Sequence, residues 1–359
     1  MNRSIRHTFL AATTACGLWL APATAQTTAT TDPVGAMTVT VNASSDTYFG
    51  VPVHNDLLIE SQISGAAGNT VTADLVLSSG ELTETPSFLL FTSGGLKGQW
   101  FSVTANNSDT ITLDTGMDFG NSVVGDSFEV RAFWTLGALF PRSSFPNSSN
   151  PFDPDFILST YDPSDVGINN STNMTFAYHD GSITGQTGWF DINDPFGTIY
   201  DNYPLSPETY LVFRNLTSSA AELNFTGEVL VKDFSMLIME QTNGQQDNRV
   251  YNPLPVPATL NELNLISGGV VAVSENPFDP RDIVFIYDFS GSGFNRSSSQ
   301  AVAYHDGSVT GATGWFDINN PFGGAIGDSV SIPAGGAFVV RKAQSGVDNS
   351  LVWDISPTF

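Results

Sequence analysis

Cysteine is almost absent from this sequence. The only cysteine among the 359 residues is Cys16, close to the start of the chain. The rest of the chain has no thiol, which excludes disulfide bonds and cysteine-bound zinc as sources of its stability. Because 41% of the residues are hydrophobic and 26 are phenylalanine, we expect buried apolar area to hold the fold together.

Positive charge is also scarce. Twelve Lys and Arg residues stand against 36 Asp and Glu residues, for a formal net charge of -24. Binding to a phosphate backbone relies on Lys and Arg, so nucleic acid is excluded as an expected partner, as are anionic membranes. The acidity has two interpretations that composition does not separate: solubility in a salty exterior, and binding of divalent cations.

Residues 1–25 have the pattern of a secretory signal peptide. Arg3 and Arg6 form a positive start, Phe9–Leu20 is a short apolar run, and Ala23–Ala25 offers a cleavage site. A spanning helix needs about 20 apolar residues, so we predict no transmembrane segment. The alternative is a lipoprotein acylated at Cys16, although the apolar run continues beyond that residue. We therefore expect an exported protein that is extracellular, at the cell surface or periplasmic.

Strand patterns dominate the remaining chain, and helix patterns are rare. Gly, Pro, Asn, Asp, Ser and Thr interrupt nearly every run, and short runs alternate between apolar and polar residues. The pattern predicts an all-β fold of tandem β-sandwich or barrel-like domains. One short helix is predicted at Thr259–Leu263, where Thr259 and Glu262 have capping-box spacing. Predicted strands include Met37–Asn42, Phe101–Thr104, Thr110–Asp114, Ser127–Arg131, Tyr210–Arg214, Glu228–Lys232 and Ala337–Arg341.

An internal repeat is the most informative feature of the sequence. Three segments return at one constant offset: Asn150–Pro154 as Asn276–Pro280, Ala177–Ser182 as Ala303–Ser308, and Thr187–Asn193 as Thr313–Asn319. Ungapped identity over such a distance indicates a duplicated domain. The predicted organisation is a signal peptide at 1–25, an N-terminal β region at 26–140, copy 1 with connecting strands at 141–257, and copy 2 at 258–359.

The repeated block contains the candidate ligand-binding residues. A histidine beside carboxylates could serve acid–base chemistry, and an exposed tryptophan could stack on a sugar. The structural interpretation, which we favour, makes Tyr-His-Asp-Gly the end of a strand and buries both tryptophans in the core. A catalytic duplicate is free to lose its site, whereas both copies keep the whole block. The candidates are Tyr178, His179, Asp180, Trp189 and Asp191 in copy 1, and Tyr304, His305, Asp306, Trp315 and Asp317 in copy 2.

Signatures of catalysis are missing from the sequence. It has no Gly-x-Ser-x-Gly elbow, no His-Glu-x-x-His zinc pair and no phosphate-binding loop, so no catalytic residue is predicted. Calcium is the one cofactor that the residues suggest, with oxygen ligands at Asp191, Asn193, Asp317 and Asn319. The competing interpretation is that these side chains bond their own backbone in turns.

Four segments that come before the repeat carry a family resemblance: Tyr48–His54, Gly98–Thr104, Gly125–Val130 and Trp134–Pro141. In this order they resemble an uncharacterised family of exported proteins of verrucomicrobial bacteria. The resemblance implies export and a β-rich fold, and it implies no activity. We expect a non-enzymatic extracellular or cell-surface protein that acts by binding or assembly. The alternatives are a carbohydrate-binding or adhesive module, with polysaccharide or self-association as the partner, and a secreted hydrolase.

Overall fold

The computed structural model describes residues 33–142 and 148–357, and nearly all of their regular structure is β-strand. The predicted all-β class is therefore confirmed. The predicted signal peptide, with Cys16, lies outside the described residues. The described residues belong to one compact unit.

Twenty-four strands and two short helices are present in the described ranges. The helices are α1 (Glu81–Glu84) and α2 (Leu136–Leu139). In chain order the strands are β1 (Val34–Val41), β2 (Ser45–Phe49), β3 (Leu57–Ala67), β4 (Thr70–Ala73), β5 (Ser87–Phe91), β6 (Trp100–Asn106), β7 (Thr110–Leu113), β8 (Ser127–Ala132), β9 (Trp134–Thr135), β10 (Phe156–Thr160), β11 (Met174–His179), β12 (Gly188–Asp191), β13 (Pro204–Leu205), β14 (Leu211–Asn215), β15 (Ala221–Glu228), β16 (Phe234–Glu240), β17 (Gln246–Tyr251), β18 (Ala258–Thr259), β19 (Ile283–Ile286), β20 (Gln300–His305), β21 (Gly314–Asp317), β22 (Ser331–Ile332), β23 (Ala337–Lys342) and β24 (Asn349–Ile355).

Two five-stranded antiparallel sheets carry the repeated motif. Their strand orders correspond: β12-β11-β10-β14-β2 in copy 1 and β21-β20-β19-β23-β17 in copy 2. Each sheet packs against a two-stranded ribbon, which is β1 with β15 in copy 1 and β16 with β24 in copy 2. A short pair, β9 with β13 or β18 with β22, completes each copy. Every strand of one copy thus has a counterpart in the other, as a duplication requires.

The other six strands close into a barrel in the order β3-β4-β7-β6-β5-β8. Its interior is a core of its own, with Leu89, Phe91, Ile111, Phe128 and Val130 all fully buried. The barrel occupies the connection between β2 and β9. Copy 2 has only residues 252–257 at the corresponding place, between β17 and β18. The barrel is therefore an insertion into copy 1.

Strand pairing places the domain boundaries differently from the sequence-based prediction. β1 and β2 lie in the predicted N-terminal region 26–140, yet they pair with β15 and β14 of copy 1. β16 and β17 lie in the predicted copy 1 region 141–257, yet they pair with β24 and β23 of copy 2. The partners of these strands are far away in the sequence, and the clear identity of the repeat starts only later, at Asn150. Sequence identity therefore revealed only the later strands of each copy.

Two local predictions also differ from the structure. Thr259 and Glu262 form the reciprocal bonds of a capping box, at 2.7 and 3.3 Å, but the residues after them form hydrogen-bonded turns instead of a helix. The predicted strand Glu228–Lys232 is wrong, because β15 ends at Glu228. The residues after β15 connect the two copies. Lys232 reaches Glu60 and Glu129 of the barrel and forms ion pairs that fasten this connection to it.

Candidate functional site

The tryptophans of the repeated motif are core residues in both copies. Trp189 is 0% exposed and Trp315 is 1% exposed, which confirms the predicted burial. Trp189 lies opposite Tyr178 and Trp315 lies opposite Tyr304, in the same strand register. The indole N–H of Trp189 donates to the Phe140 carbonyl at 3.3 Å. Because neither ring reaches the surface, neither can stack on a sugar.

A glycine precedes each tryptophan for a steric reason. Gly188 has φ of 150° and Gly314 has φ of 147°, a backbone region that favours glycine. A Cβ atom on Gly188 would also lie 2.6 Å from the side chain of Ile199. Neighbouring residues of a strand face opposite sides of the sheet, so the Trp and Phe of each motif lie on opposite faces, and the structure buries both faces. Phe190 and Phe316 are 0% and 1% exposed.

His179 and His305 occupy equivalent buried positions, each 1% exposed. His179 stacks on Phe190 with ring centroids 5.0 Å apart, and His305 packs on Phe316 at 5.4 Å. Burial lowers the pKa of both histidines below the ordinary value. Within the described residues neither ring has a partner in hydrogen-bonding geometry, although the Ser274 backbone lies close enough to oppose the shift at His305. Each imidazole ring is buried and packs on the phenylalanine of its own copy.

The carboxylates next to the histidines hold turns. Asp180 Oδ1 accepts the Ser182 N–H at 2.9 Å, and Asp306 Oδ1 accepts the Ser308 N–H at 2.8 Å. These bonds lower the pKa of both carboxyl groups. The Tyr-His-Asp motif therefore ends a strand and starts a turn, because its aspartate binds backbone instead of the imidazole.

The residues suggested as calcium ligands form a second type of turn. Asp191 Oδ1 accepts the Asn193 N–H at 2.9 Å, and Asp317 Oδ1 accepts the Asn319 N–H at 2.8 Å. In the described ranges, no group of three or more His, Cys, Asp or Glu side chains is arranged to hold a metal ion. Calcium binding at these positions stays a prediction.

Two reciprocal loops join the copies. The loop 162–173 of copy 1 reaches the edge strand β17 of copy 2, where the Asn169 N–H donates to Asp247 Oδ2 at 2.9 Å. The loop 288–299 of copy 2 reaches the edge strand β2 of copy 1, where the Asn295 N–H donates to Asp46 Oδ2 at 2.7 Å. Both asparagines have positive φ, 54° and 48°. The two copies are thus related by an exchange of equivalent contacts.

Each of these aspartates also binds an arginine with two bonds. Arg214 donates to Asp46 at 2.7 and 2.9 Å, and Arg341 donates to Asp247 at 2.6 and 2.9 Å. Side-chain hydrogen bonds to the aspartates raise the pKa of both guanidinium groups. Bidentate pairs of this kind hold both partners in one orientation. They fix the side chains of Asp46 and Asp247, whose contacts with the loops 288–299 and 162–173 form the seam between the copies.

Two clefts open beside these ion pairs. The first cleft has a volume of about 320 Å³ and is lined by Asp46, Tyr48, Ser159, Tyr161 and Arg214, among others. The second cleft has a volume of about 370 Å³ and is lined by Asp247, Arg249, Tyr287, Arg296 and Arg341, among others. Volumes of this size fall within the range of small-ligand sites.

The clefts are equivalent in position but differ in charge. In strand register Tyr48 lies opposite Val212, and its counterpart Arg249 lies opposite Val339. At the loops, Asn170 of copy 1 corresponds to Arg296 of copy 2. Of the described residues that line the second cleft, three are arginines and one is an aspartate. The second cleft therefore has a net positive charge in a chain of net charge -24.

Tyrosines support the arginines of the second cleft. Arg249 lies over the ring of Tyr161 at 4.1 Å, and Arg296 lies over the ring of Tyr48 at 5.4 Å. Tyr48 in turn packs on Tyr287 with centroids 4.5 Å apart. The Arg296 Nε–H is buried and has no partner among the described residues. The cleft thus presents oriented cationic groups with donor capacity still available.

A buried carboxyl lies near the seam. The Leu237 N–H donates to Glu208 Oε2 at 3.1 Å, and the side chain of Trp100, from the barrel, is a second partner. Glu208 is half-buried, and the desolvation of its carboxyl group raises its pKa to about 7. Copy 1, copy 2 and the barrel therefore meet at this carboxyl.

Both copies of the repeat also have a pair of exposed phenylalanines. Phe152 is 70% exposed and packs against Phe196, which is 57% exposed, at a centroid distance of 6.0 Å. Phe278 is 71% exposed and packs against Phe322, which is 59% exposed, at 5.8 Å. Phe152 and Phe278 follow Asx turns made by Asn150 and Asn276. Each copy therefore displays one aromatic pair at its surface.

The comparisons with known proteins add no constraint. No family model, curated protein or solved structure matches this chain. Among the helices in the described ranges, none has the length and apolar character needed to cross a membrane.

The sequence analysis did not predict the contacts of Asp46 and Asp247 with the loop of the other copy. The signal was present, because Gly167-Ile168-Asn169 and Gly293-Phe294-Asn295 repeat at the same offset as the longer motifs. Two matching residues in three are weak by themselves, and neither Asp46 nor Asp247 lies near them in the sequence. Only the fold brings these groups together.

Proposed function

We propose that this protein is an exported, non-enzymatic binding protein whose second cleft takes an acidic polysaccharide. The observation that carries the proposal is the concentration of Arg249, Arg296 and Arg341 around one aspartate, Asp247, in a strongly acidic chain. Arginine is suited to carboxylate and sulfate groups, because its planar fork donates two parallel hydrogen bonds. The signal-peptide pattern at the start of the sequence supports an extracellular setting.

The chemistry of the cleft also favours a sugar over a simple anion. Tyr287 and Phe285 line the same space as the arginines, and Ser297 and Ser298 add hydroxyl groups. Aromatic faces pack against the apolar faces of sugar rings, while hydroxyls and guanidinium groups bond to their substituents. The negative charge elsewhere on the chain repels an acidic polymer, so binding depends on this local cluster.

The test is a titration of the purified chain with acidic oligosaccharides bearing carboxylate or sulfate groups. Neutral oligosaccharides and inorganic sulfate serve as separate arms. We expect acidic oligosaccharides to bind and both other arms to bind far more weakly. Binding of inorganic sulfate as tight as that of the oligosaccharides would contradict a sugar site, and no binding in any arm would contradict the cleft as a binding site.

The variants follow from the comparison of the two clefts. Arg249→Tyr and Arg296→Asn each give the second cleft the residue found in copy 1. We expect each to weaken binding about tenfold or more, because a charge-assisted hydrogen bond contributes about 1.5–3 kcal/mol. Arg281→Gln is the control: Arg281 is exposed and does not line the cleft, and this substitution removes the same charge as the other two. Equal effects of Arg281→Gln and Arg249→Tyr would show a general charge effect.

Assembly is the second candidate function, and the exposed phenylalanine pairs favour it. The copies have diverged at Tyr48 and Arg249, yet both keep an exposed aromatic pair that the core does not need. Exposed aromatic patches mark contact surfaces, and two per chain would allow a chain to link to two others.

Sedimentation across a concentration series tests assembly. We expect Phe152→Ser and Phe278→Ser to weaken self-association and the double variant to abolish it. Val76→Ser is the control, because Val76 is 98% exposed and lies in the segment between β4 and α1, outside both copies of the repeat. A chain that stays monomeric at all concentrations would contradict this candidate without affecting the cleft.

A further inference from the structure

A lysine and two carboxylates lie together in the core of copy 2. Lys342 Nζ is 2.5 Å from Asp282 Oδ2 and 3.3 Å from Glu240 Oε1. The side chains of Lys342 and Asp282 are each 3% exposed, and that of Glu240 is 16% exposed. The lysine also donates to the Val270 carbonyl at 2.6 Å. The ammonium group is therefore fixed in position against the carboxyl group of Asp282.

The strand register explains why these side chains meet. Ile283 of β19 pairs with Arg341 of β23, so Asp282 and Lys342 are the next residues along the same two strands. Glu240 ends β16, a strand of the ribbon that packs on this sheet. Two backbone amides hold the Asp282 carboxyl group: the Ala343 N–H donates to Oδ1 at 2.9 Å and the Ala272 N–H donates to Oδ2 at 2.8 Å.

Copy 1 shows that the fold does not require this ion pair. The corresponding residues of copy 1 are Phe156 and Asn215, which pair across β10 and β14. Both are buried, and neither carries a charge. Removing charges from water is unfavourable, and neutral residues of similar size often serve a core equally well. The charged group in copy 2 therefore calls for an explanation other than packing.

We propose that Lys342 and Asp282 condense to an amide bond, so that a covalent cross-link joins β19 to β23. The ammonium group first gives one proton to Asp282 Oδ2, which makes a neutral amine and a carboxylic acid. The amine nitrogen then attacks Cγ of Asp282, and the Ala343 N–H stabilises the negative charge that develops on Oδ1.

Glu240 completes the step by moving the second proton. Its carboxylate accepts that proton from the attacking nitrogen and passes it to the departing Oδ2 hydroxyl, which leaves as water. One N–C bond forms and one C–O bond breaks, and Glu240 ends as it began. The reaction needs no oxidant, cofactor or other reactant, because the ammonium and carboxylate contain every atom of the amide and the water.

Mass spectrometry of the purified, fully denatured chain tests the proposal. After the N-terminus has been determined, we expect the intact mass to be lower than the sequence mass by one water molecule. We also expect trypsin to release residues 282–296 joined to residues 342–359, because the enzyme cannot cut after an acylated lysine. A chain with its full sequence mass and separate peptides would overturn the cross-link.

Variants separate the bond from the ion pair. Lys342→Arg keeps the positive charge but cannot form this amide, so it should have the full sequence mass. Glu240→Gln leaves both reacting groups in place but lacks the carboxylate that moves the proton. We therefore expect this variant to lose the water molecule at least tenfold more slowly than the unaltered chain. Lys232→Arg, at the exposed end of an ion network, should lose water like the unaltered chain. Unimpaired water loss in Glu240→Gln would overturn the role assigned to Glu240.

Discussion

The two copies agree in their turns and cores and differ in their polar interiors. Both keep the buried tryptophan, the buried histidine, the aspartate–arginine pair and the exchanged asparagine loop. They differ in the charge of the cleft, in the core position held by Phe156 or Asp282, and in the connection that carries the barrel. What both copies retain sets backbone geometry, and what differs sets chemistry. The cationic cleft and the buried pair of Lys342 with Asp282 lie where the copies disagree, whereas the exposed phenylalanine pairs are common to both copies.

The largest expected effect on the free energy of unfolding comes from the buried tryptophans, and it tests whether the cores of copy 1 and copy 2 are equivalent. Trp189→Ala and Trp315→Ala should each lower the free energy of unfolding by about 3–5 kcal/mol, because each removes a large, fully buried side chain. Each tryptophan also makes an edge-to-face contact with a tyrosine, at 5.7 and 5.5 Å. Denaturant titration followed by circular dichroism measures the change. A loss below about 1 kcal/mol in one variant would show that the copies are not equivalent.

The contacts made by the exchanged loops, 162–173 and 288–299, give the next largest effect on the free energy of unfolding. Asp46→Ala and Asp247→Ala should each lower the free energy of unfolding by about 2–3 kcal/mol, since each leaves an arginine and a backbone N–H without their partner. Asp233→Ala, which breaks the more exposed pair with Lys97, should cost less than about 1 kcal/mol.

Hydrogen exchange sharpens this test. Because each aspartate holds the loop of the other copy, Asp46→Ala should speed exchange at the amide of Asn295. Asp247→Ala should do the same at Asn169. Faster exchange confined to the mutated copy would contradict the reciprocal contact.

Glu208 gives a smaller effect that depends on pH. Glu208 lies in the turn between β13 and β14 of copy 1, and the corresponding turn of copy 2, Pro333–Gly336, contains no carboxylate. Burial raises the pKa of Glu208 from 4.5 to about 7, so the folded chain binds this proton more tightly than the unfolded chain. Its contribution to stability is therefore greatest below about pH 4.5, falls as pH rises toward 7, and is lost above that.

Glu208→Gln should remove this dependence. At pH 8 the variant should be more stable than the unaltered chain by about 1–3 kcal/mol, and the difference should vanish near pH 4.5. Thermal melts across this pH range measure it. A constant difference at all pH values would contradict an enclosed carboxyl.

Local patterns in the sequence predicted several of the strands and the duplication itself. Alternation identified β1 and β7, in which more buried residues alternate with more exposed ones. Turn chemistry was also readable: Asp180 and Asp191 bind backbone N–H groups two residues ahead. The Gly-Trp-Phe-Asp run indicated a buried tryptophan, and the structure confirms it.

Pairing between distant strands could not be predicted from local patterns. β2 and β17 carry little identity, so nothing in the sequence assigned Asp46 to Arg214 or Asp247 to Arg341. The cationic cleft depends on residues from three separate segments, around Arg249, Arg296 and Arg341. The sequence did not reveal which side chains are exposed either: Phe152 and Phe190 are the same residue type in two segments of one repeat, yet Phe152 faces solvent and Phe190 is buried.

The insertion of the barrel has a consequence for how the chain folds as it is made. β1 and β2 leave the ribosome first, but their partners β15 and β14 come only after the entire barrel has been synthesised. The barrel's first and last strands, β3 and β8, pair with each other, so it can close while copy 1 is still open. Pairings this distant in sequence form slowly. During that delay β1 and β2 stay unpaired, and mispaired, strand-swapped chains are the expected by-product of hurried refolding.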